Sequence, residues 1–445
     1  MSFLSNVFHL SDLNLQNIGQ CYIYTLNNNV AWGRISTNIA EILKKMDNST
    51  FAEIYIQIAA KNRRDIPQLL TLFEKLTVIQ KQSIQRNDKK VFFIITRRCN
   101  LNCSMCYINA GQSLQEEMSY SQIEIAFKKL IESGYRQITI SGGEPFIYKD
   151  IIRILSLATE MFDSLSVNTN GTLLTEEYLQ YIMQYNIHVM ISLEGNDADT
   201  NDKIRGNGTY QKIKSVIKYF VSNNYFNISV SITITKYNFQ KVKELYQFCS
   251  ENKINVNLGI FIEEGRGKIN NEDYKLEPLK LLEVYMDILE IELNEMNFEN
   301  KKNSANNMLL KCAANCGAIN NQINVMENGD IYPCQNLIDA KWKMGNILED
   351  DLQKILEFEP VLNEIKKRNV NSIKECKACP YKYICSGGCM ANSYLSKGSI
   401  YLCDPMCSFY KMLYNSYLNN WVMGDSEIKN VKKVVEQCRK NYLKD

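Results

Sequence analysis

The stretch Cys99-Asn-Leu-Asn-Cys103-Ser-Met-Cys106-Tyr107 puts three cysteines inside nine residues. Three thiolates are one short of what a tetrahedral ion or an iron–sulfur cube takes from protein. A cube held at three corners leaves one iron free for an outside ligand. A zinc ion borrowing a distant fourth cysteine, or three unrelated buried thiols, accounts for the same spacing. Nine of the fifteen cysteines lie farther on, between residues 312 and 407. Cys376-x2-Cys379-x5-Cys385-x3-Cys389 is the densest part of that run. The only histidines, His9 and His188, disfavour mixed Cys/His zinc sites and triads with an imidazole base. What remains is thiolate-only metal chemistry, for which iron–sulfur clusters are the commonest large-scale use. Cys21, Cys249 and Cys438 stand alone and are expected to be small buried hydrophobes.

Composition narrows the setting. The 445 residues carry 51 Lys+Arg against 49 Asp+Glu, a net charge of +2 that gives no reason to expect a nucleic-acid partner. The start, MSFLSNVFHLSDLN, lacks the basic and apolar regions of a signal peptide. No apolar run approaches the roughly 18 residues of a membrane span. A cytoplasmic protein without membrane contact is expected. A disulfide framework does not suit that compartment.

The elements that position the cysteines follow from the pattern of apolar residues. Residues 1–85 contain a strand candidate, CYIYTL, and two helical patterns, one with Ile39, Ile42, Leu43 and Met46 on a face and one from DIPQLL onward, with Pro67 in its first turn. QRNDKK reads as a linker. From 91 to about 262, strands alternate with helices: VFFIIT, QITIS, LSVNT, HVMISL, NISVSITIT and INVNLGIF. The intervening helices fall at 119–134, 150–161, 175–185, 210–222 and 238–251, the first opened by a Ser119/Gln122 capping box and stopped by Gly134. Six strands separated by helices mean a parallel sheet, open or curled into a partial barrel, with ligands at its carboxyl ends. Residues 278–300 read as a connecting helix, 310–410 as cysteine-rich and turn-rich, and 411–445 as a helical tail.

The three-cysteine loop follows the first of these strands. SGGEP, with Gly142, Gly143 and Glu144, ends the second. NTNG, with Asn168 and Asn170, ends the third, and SLEG, with Ser192 and Glu194, the fourth; Arg205 follows in KIRG. Singly each is a turn or a loop cap. Together they place hydrogen-bonding groups at four successive strand ends.

CxxxCxxCY, GGEP, NTNG, SLEG and IRG together resemble the radical S-adenosylmethionine (SAM) superfamily over 91–262. The resemblance implies a partial (β/α)6 barrel, here within 91–300. It implies a 4Fe–4S cluster on Cys99, Cys103 and Cys106, whose open iron binds SAM through the amino and carboxylate groups. Gly142, Gly143 and Glu144 would contact the methionine amino group, Ser192 and Arg205 its carboxylate or the ribose, and Tyr107 the adenine; Asn170 is a further candidate contact. The later cysteines resemble the SPASM extension of peptide-modifying radical enzymes, with two auxiliary 4Fe–4S clusters. By position Cys376, Cys379, Cys385 and Cys407 would hold one, with Cys403 a competitor for the last place. Cys316, Cys334 and Cys389 would hold the other, with Cys312 either a fourth ligand or too near Cys316 to reach. A pair of zinc knuckles shares this spacing.

Sulfatase-maturating relatives carry an aspartate base directly after the PC cysteine. Here that residue is Gln335, which cannot take a proton at neutral pH. No catalytic residue is assigned. Residues 1–85 resemble the winged-helix-like recognition domain of peptide maturases; a structural cap on the barrel is the other reading. The whole is most similar to sactipeptide maturases, which join a cysteine sulfur to an α-carbon. The resemblance implies a cysteine-containing precursor peptide, its leader bound by the N-terminal domain, and an external flavodoxin- or ferredoxin-type electron donor. Other radical modifications of a peptide, and a non-enzymatic zinc or iron–sulfur protein, are the alternatives.

Overall fold

The structure, a computed structural model, describes residues 5–19, 21–26, 32–81, 89–111, 117–296, 316, 318, 322–358, 360–420 and 425–443. Cys312 and most of the expected linker lie outside the described residues.

The N-terminal region is richer in strand than its sequence suggests. CYIYTL forms β2 (Cys21–Leu26), flanked by β1 (Leu13–Asn17) and β3 (Trp32–Ser36) in an antiparallel sheet of order β1-β2-β3. The flanking strands are five residues each, too short for a period-two signal to stand out. Three helices follow. Ser36 caps Thr37–Leu43, and a Thr50/Glu53 capping box opens Phe51–Lys61, so that FAEIYIQIAA is helical. Ile66–Lys81 packs back on the second, with Phe51 and Phe73 stacked at 3.9 Å.

All six strands expected between 91 and 262 are present and parallel: β4 (Lys90–Thr96), β5 (Gln137–Gly142), β6 (Ser164–Thr169), β7 (His188–Ser192), β8 (Ile228–Ile234) and β9 (Asn255–Ile260). β4 reads as an unbroken apolar run because both of its faces are covered. Val91, Phe93 and Ile95 face the helix layer, where Phe93 meets Phe127 edge-on at 5.1 Å. Ile94 points the other way, into a second core with Trp342 and Met390. The Ser119/Gln122 capping box forms, and Gly134 ends that helix at φ +84°. Between residues 91 and 262 one α-helix escapes the periodicity reading: Ala198–Arg205, of sequence ADTNDKIR, which is too polar to show an apolar face. Asp197 caps it through Thr200 N at 2.7 Å.

The barrel sheet continues past its own first strand. β10 (Gln322–Val325) pairs in parallel with β4, and β11 (Asp330–Tyr332) and β12 (Gly345–Asn346) extend it antiparallel. The full order is β12-β11-β10-β4-β5-β6-β7-β8-β9. The cysteine-rich region is thereby stitched to the strand that carries the three-cysteine loop. Two C-terminal helices, Cys407–Asn420 and Glu427–Tyr442, pack on the connecting helix Pro278–Met296. Arg439 fastens them there through Asp287 at 2.5 Å and Glu290 at 2.8 Å. The N-terminal sheet rests on the same end: Ile23 is buried with Tyr381, Ile384, Tyr414 and Leu418. Among the described residues no helix is long and apolar enough to cross a membrane.

Candidate functional site

The strand ends and the C-terminal region enclose a cavity of about 580 Å³, within the range of ligand and cofactor pockets. The three-cysteine loop forms one wall. It leaves β4 and closes on itself through Cys99 N to Gly111 O and Gly111 N to Arg97 O, both 2.9 Å. Backbone amides already aim at the sulfurs: Leu101 N lies 3.4 Å from Cys99 Sγ and Ala110 N 3.3 Å from Cys106 Sγ. Such donors stabilise thiolate and tune a cluster. Burial pushes the Cys99 thiol up to about 11, so a bound iron must supply the charge that ionises it.

The glycines of SGGEP are explained by close approach. A side chain at Gly143 would collide with Arg97 and Arg98 carbonyls, and Gly143 N donates to Thr96 O at 2.8 Å. The GGEP turn and the cysteine loop are packed backbone on backbone, which only glycine allows.

Cys99, Cys103, Cys106, Tyr107, Gly142, Gly143, Asn170, Ser192 and Arg205 all line the cavity. Glu144 does not. It is fully buried behind the wall, accepting from Thr169 Oγ1 and Asn170 N at 2.8 Å and from Phe146 N at 3.2 Å. Burial raises its pKa to about 7, against the pull of those donors. Its carboxylate is occupied in tying the β6 loop to the β5 loop, not in facing a ligand's ammonium. Asn170 in turn reaches Asn100 Oδ1 at 3.0 Å, joining NTNG to the cysteine loop.

Arg205 is held by Glu194, Nε at 3.1 Å and Nη2 at 2.6 Å, while the second carboxylate oxygen takes Thr233 N at 2.8 Å. Burial opposes the guanidinium charge, but Glu194 and the thiols of Cys103 and Cys106 outweigh it and raise the pKa. SLEG and IRG are thus one unit: the glutamate on one strand end fixes the cation offered by the next helix. Asn168 contributes an amide oxygen at the cavity wall that is buried and has no partner among the described residues. An orphaned acceptor there suits a ligand that brings its own donors, as a nucleotide's amino and hydroxyl groups do.

Several contributors were not anticipated. Arg266 follows β9 and clasps the cysteine loop, Nε to Cys103 O at 2.8 Å and Nη1 to Ala110 O at 2.5 Å, with its own N on Cys106 O at 3.0 Å. Gly265 (φ +55°) before it would strike the Cys106 and Tyr107 carbonyls with any side chain. The signal was Gly-Arg-Gly at a strand's carboxyl end. Ser231, Thr233 and Asn257 line the cavity from within β8 and β9, where polar residues alternate with apolar ones. Tyr285 and Tyr410 come from helices outside the barrel.

The cysteine-rich region also contributes to the lining, through Cys389, Gln335 and Asn336. Cys316, Cys334 and Cys389 lie in one cluster with Trp342 and Tyr394, and burial lifts Cys334 to about 12 and Cys389 to about 11. Cys376, Cys379, Cys385, Cys403 and Cys407 surround a second, smaller hollow. Burial there lifts Cys376 to about 11 and Cys385 to about 12. The structure brings Cys403 and Cys407 to that hollow together. The donor sets are all sulfur and, Cys376 apart, half-buried, a chemistry that suits iron–sulfur clusters. Cys21, Cys249 and Cys438 are buried, the last two within the main hydrophobic core.

A partial barrel of parallel strands, a three-cysteine loop at its mouth and two further thiol sets define a class. Residues 93–249 match the radical SAM superfamily and residues 316–380 match SPASM, an iron–sulfur cluster-binding domain; the chain belongs to that superfamily. Its cofactors are SAM, the 4Fe–4S cluster that binds it, and auxiliary 4Fe–4S clusters. Mycofactocin maturase MftC of Mycolicibacterium smegmatis is 24% identical over 318 residues, 70% of this chain and 81% of its own. Subtilosin biosynthesis protein AlbA of Bacillus subtilis, named for an antilisterial bacteriocin, is 26% identical over 304 residues, 67% of this chain and 66% of its own. Streptococcus suis SuiB, in its structure bound to precursor peptide SuiA, shares the fold with a TM-score of 0.58 at 18% identity, covering 90% of this chain and 100% of SuiB.

Proposed function

We propose that this enzyme installs cysteine-sulfur to α-carbon thioethers in a ribosomally made precursor peptide, as in sactipeptide biosynthesis. One observation carries the reading: the three-cysteine loop and Cys389 of the later thiol set line a single cavity. A peptide cysteine and its acceptor residue fit between the two. When bound, SAM and its cluster would supply hydrogen-atom abstraction at the acceptor carbon, and the auxiliary clusters would supply a sink for the one electron left over when the thiol loses its proton and its sulfur joins that carbon. The chain's own part is to hold and to exclude. Cys99, Cys103 and Cys106 anchor the first cluster; Arg205, fixed by Glu194, and Ser192 orient the nucleotide's polar groups; Tyr107 covers the adenine. Cys376, Cys379, Cys385 and Cys407 anchor the distal cluster, and Cys316, Cys334 and Cys389 the one at the cavity. Gln335 lines the cavity where a sulfatase-maturating enzyme needs a base, which disfavours that chemistry.

The N-terminal sheet receives the leader by strand addition at an edge, where main-chain hydrogen bonds give affinity. A flavodoxin- or ferredoxin-type donor supplies electrons in the cytoplasm. Similarity to AlbA supports thioether formation; similarity to MftC supports a second reading, a different radical modification of a peptide. Co-expression with a cysteine-containing precursor and high-resolution mass spectrometry separates them. A thioether loses two hydrogens and blocks cysteine alkylation. A carbon–carbon crosslink loses two hydrogens with the thiol still alkylatable, and an epimer keeps its mass. Either of the last two results replaces the thioether reading.

A further inference from the structure

Arg368 is one of the largest fully buried side chains, 1% exposed. It follows the helix Pro360–Lys367 and precedes Cys376 by eight residues. Its guanidinium spans the cysteine-rich region: Nε donates to Ile400 O at 2.6 Å, and Nη2 to Gly387 O at 3.4 Å. Gly387 lies midway between Cys385 and Cys389, which by the ligand assignment above belong to different clusters. A side chain at Gly387 would sit 2.7 Å from Ile373 Cδ1 and 3.3 Å from Arg368 Nη2, so glycine there lets the cation reach the bend. Asp404, itself 1% exposed, braces the bend from the other side by accepting Cys389 N at 2.7 Å.

Burial opposes the guanidinium charge, and negative charge on Cys316, Cys389, Cys376 or Asp404 favours it. Two of the three cysteines belong to one proposed cluster and the third to the other. Hydrogen bonds to two carbonyls need only a neutral donor. A permanent cation removed from water is costly unless negative charge offsets it. Thiolate-ligated clusters are such a charge, and cationic or hydrogen-bonding groups around the sulfurs set their potentials.

We propose that Arg368 is the shared counter-charge of the two auxiliary clusters, a positioning residue whose buried cation raises both reduction potentials and so lets them take up the electron released at the cavity. The inference rests on the ligand assignment under Proposed function. Arginine suits the place because its charge is permanent and its donors point in fixed directions to two carbonyls.

The test compares Arg368→Met, which keeps bulk without charge, with Arg368→Lys, which keeps charge without the planar fork. The full chain is reconstituted anaerobically, its iron counted and its clusters titrated by EPR, with the SAM-binding cluster as internal standard. Wild type should hold about twelve irons, four per cluster. In Arg368→Met, reduction of the auxiliary clusters should become at least about tenfold less favourable, about 59 mV more negative for a one-electron couple. The SAM-binding cluster should not move, and Arg368→Lys should keep wild-type potentials. Should Arg368→Met shed the auxiliary irons, their retention in Arg368→Lys equally supports a counter-charge. Unchanged potentials in Arg368→Met, equal shifts in both variants, or loss of auxiliary iron from both would mean a strut and overturn the proposal. A wild type with only the first cluster's iron would instead remove the ligand assignment, and this inference with it.

Discussion

The two thiol regions are organised on different physical plans. The first draws its three cysteines from eight consecutive residues, Cys99 to Cys106. The framework around them is contributed from afar: the GGEP backbone, Asn170, and Arg266 from beyond β9. The second draws its cysteines from segments up to ninety-one residues apart, Cys316 to Cys407. Its positions are set by turns and by a buried Arg368 and Asp404. A contiguous ligand set leaves a whole side of the metal site open to a small molecule, and the barrel mouth supplies that molecule's contacts. A dispersed set surrounds its hollow from several segments, with Cys389 also bordering the cavity. The proposed function uses this contrast as a division between making a radical and receiving an electron.

The largest effect should come from removing ligands on each side of that division. Cys106→Ala should lose about four of about twelve irons and abolish 5′-deoxyadenosine formation, read by chromatography of a single-turnover mixture. Cys407→Ala should keep nucleoside formation and lose the peptide crosslink. If both variants fail in the same assay, the two regions share one task.

Next in size is the clamp on Arg205. Glu194→Gln leaves a buried guanidinium without its counter-charge, a loss of about 3 kcal/mol by the behaviour of broken buried pairs. SAM affinity should fall roughly a hundredfold at 1.4 kcal/mol per tenfold, measured by equilibrium dialysis. Glu144→Gln should have a smaller effect on affinity, because Glu144 lies behind the wall.

Arg266→Ala removes charge-assisted bonds from Cys103 O and Ala110 O, each worth about 1.5–3 kcal/mol. The three-cysteine site should release iron to a chelator faster than wild type, while the auxiliary iron is unaffected. Equal acceleration at all sites would erase the distinction between a clasped loop and a wrapped cluster.

The smallest effect is a pH dependence at the seam between the regions. Glu264 follows β9, is near Tyr107, Cys334 and Asp339, and has a buried oxygen without a partner among the described residues. Burial, then Asp339, lifts its carboxyl from 4.5 to about 8. The folded state therefore holds a proton that the unfolded chain gives up. Its contribution to stability is complete below pH 4.5 and is lost as pH rises through about 8. Denaturant melts across pH 5 to 9 should decline in wild type and be flatter in Glu264→Gln.

Much of the barrel was legible in the sequence because β4 is an apolar run, most of the other strands alternate around an apolar face, and the loops at their ends carry short motifs. VFFIIT, QITIS and the capping box at Ser119 need only local interactions. β1 and β3 were too short to register, and ADTNDKIR had no apolar face to betray its helix. Glu144 shows the limit of a motif: its position was right for a ligand, yet its side chain faces three donors inside the protein.

The sequence pointed to the metal chemistry through its motifs taken together, since the spacing of cysteines on one loop equally suits zinc. It could not say that β10 would pair with β4, that Arg266 would reach back about 160 residues to the cysteine loop, or that Cys389 would share a cavity with Cys106. Those are contacts between segments whose separation along the chain carries no information about distance in space. They form because buried backbone groups and cations must find partners, and the partners available depend on how the sheet closes.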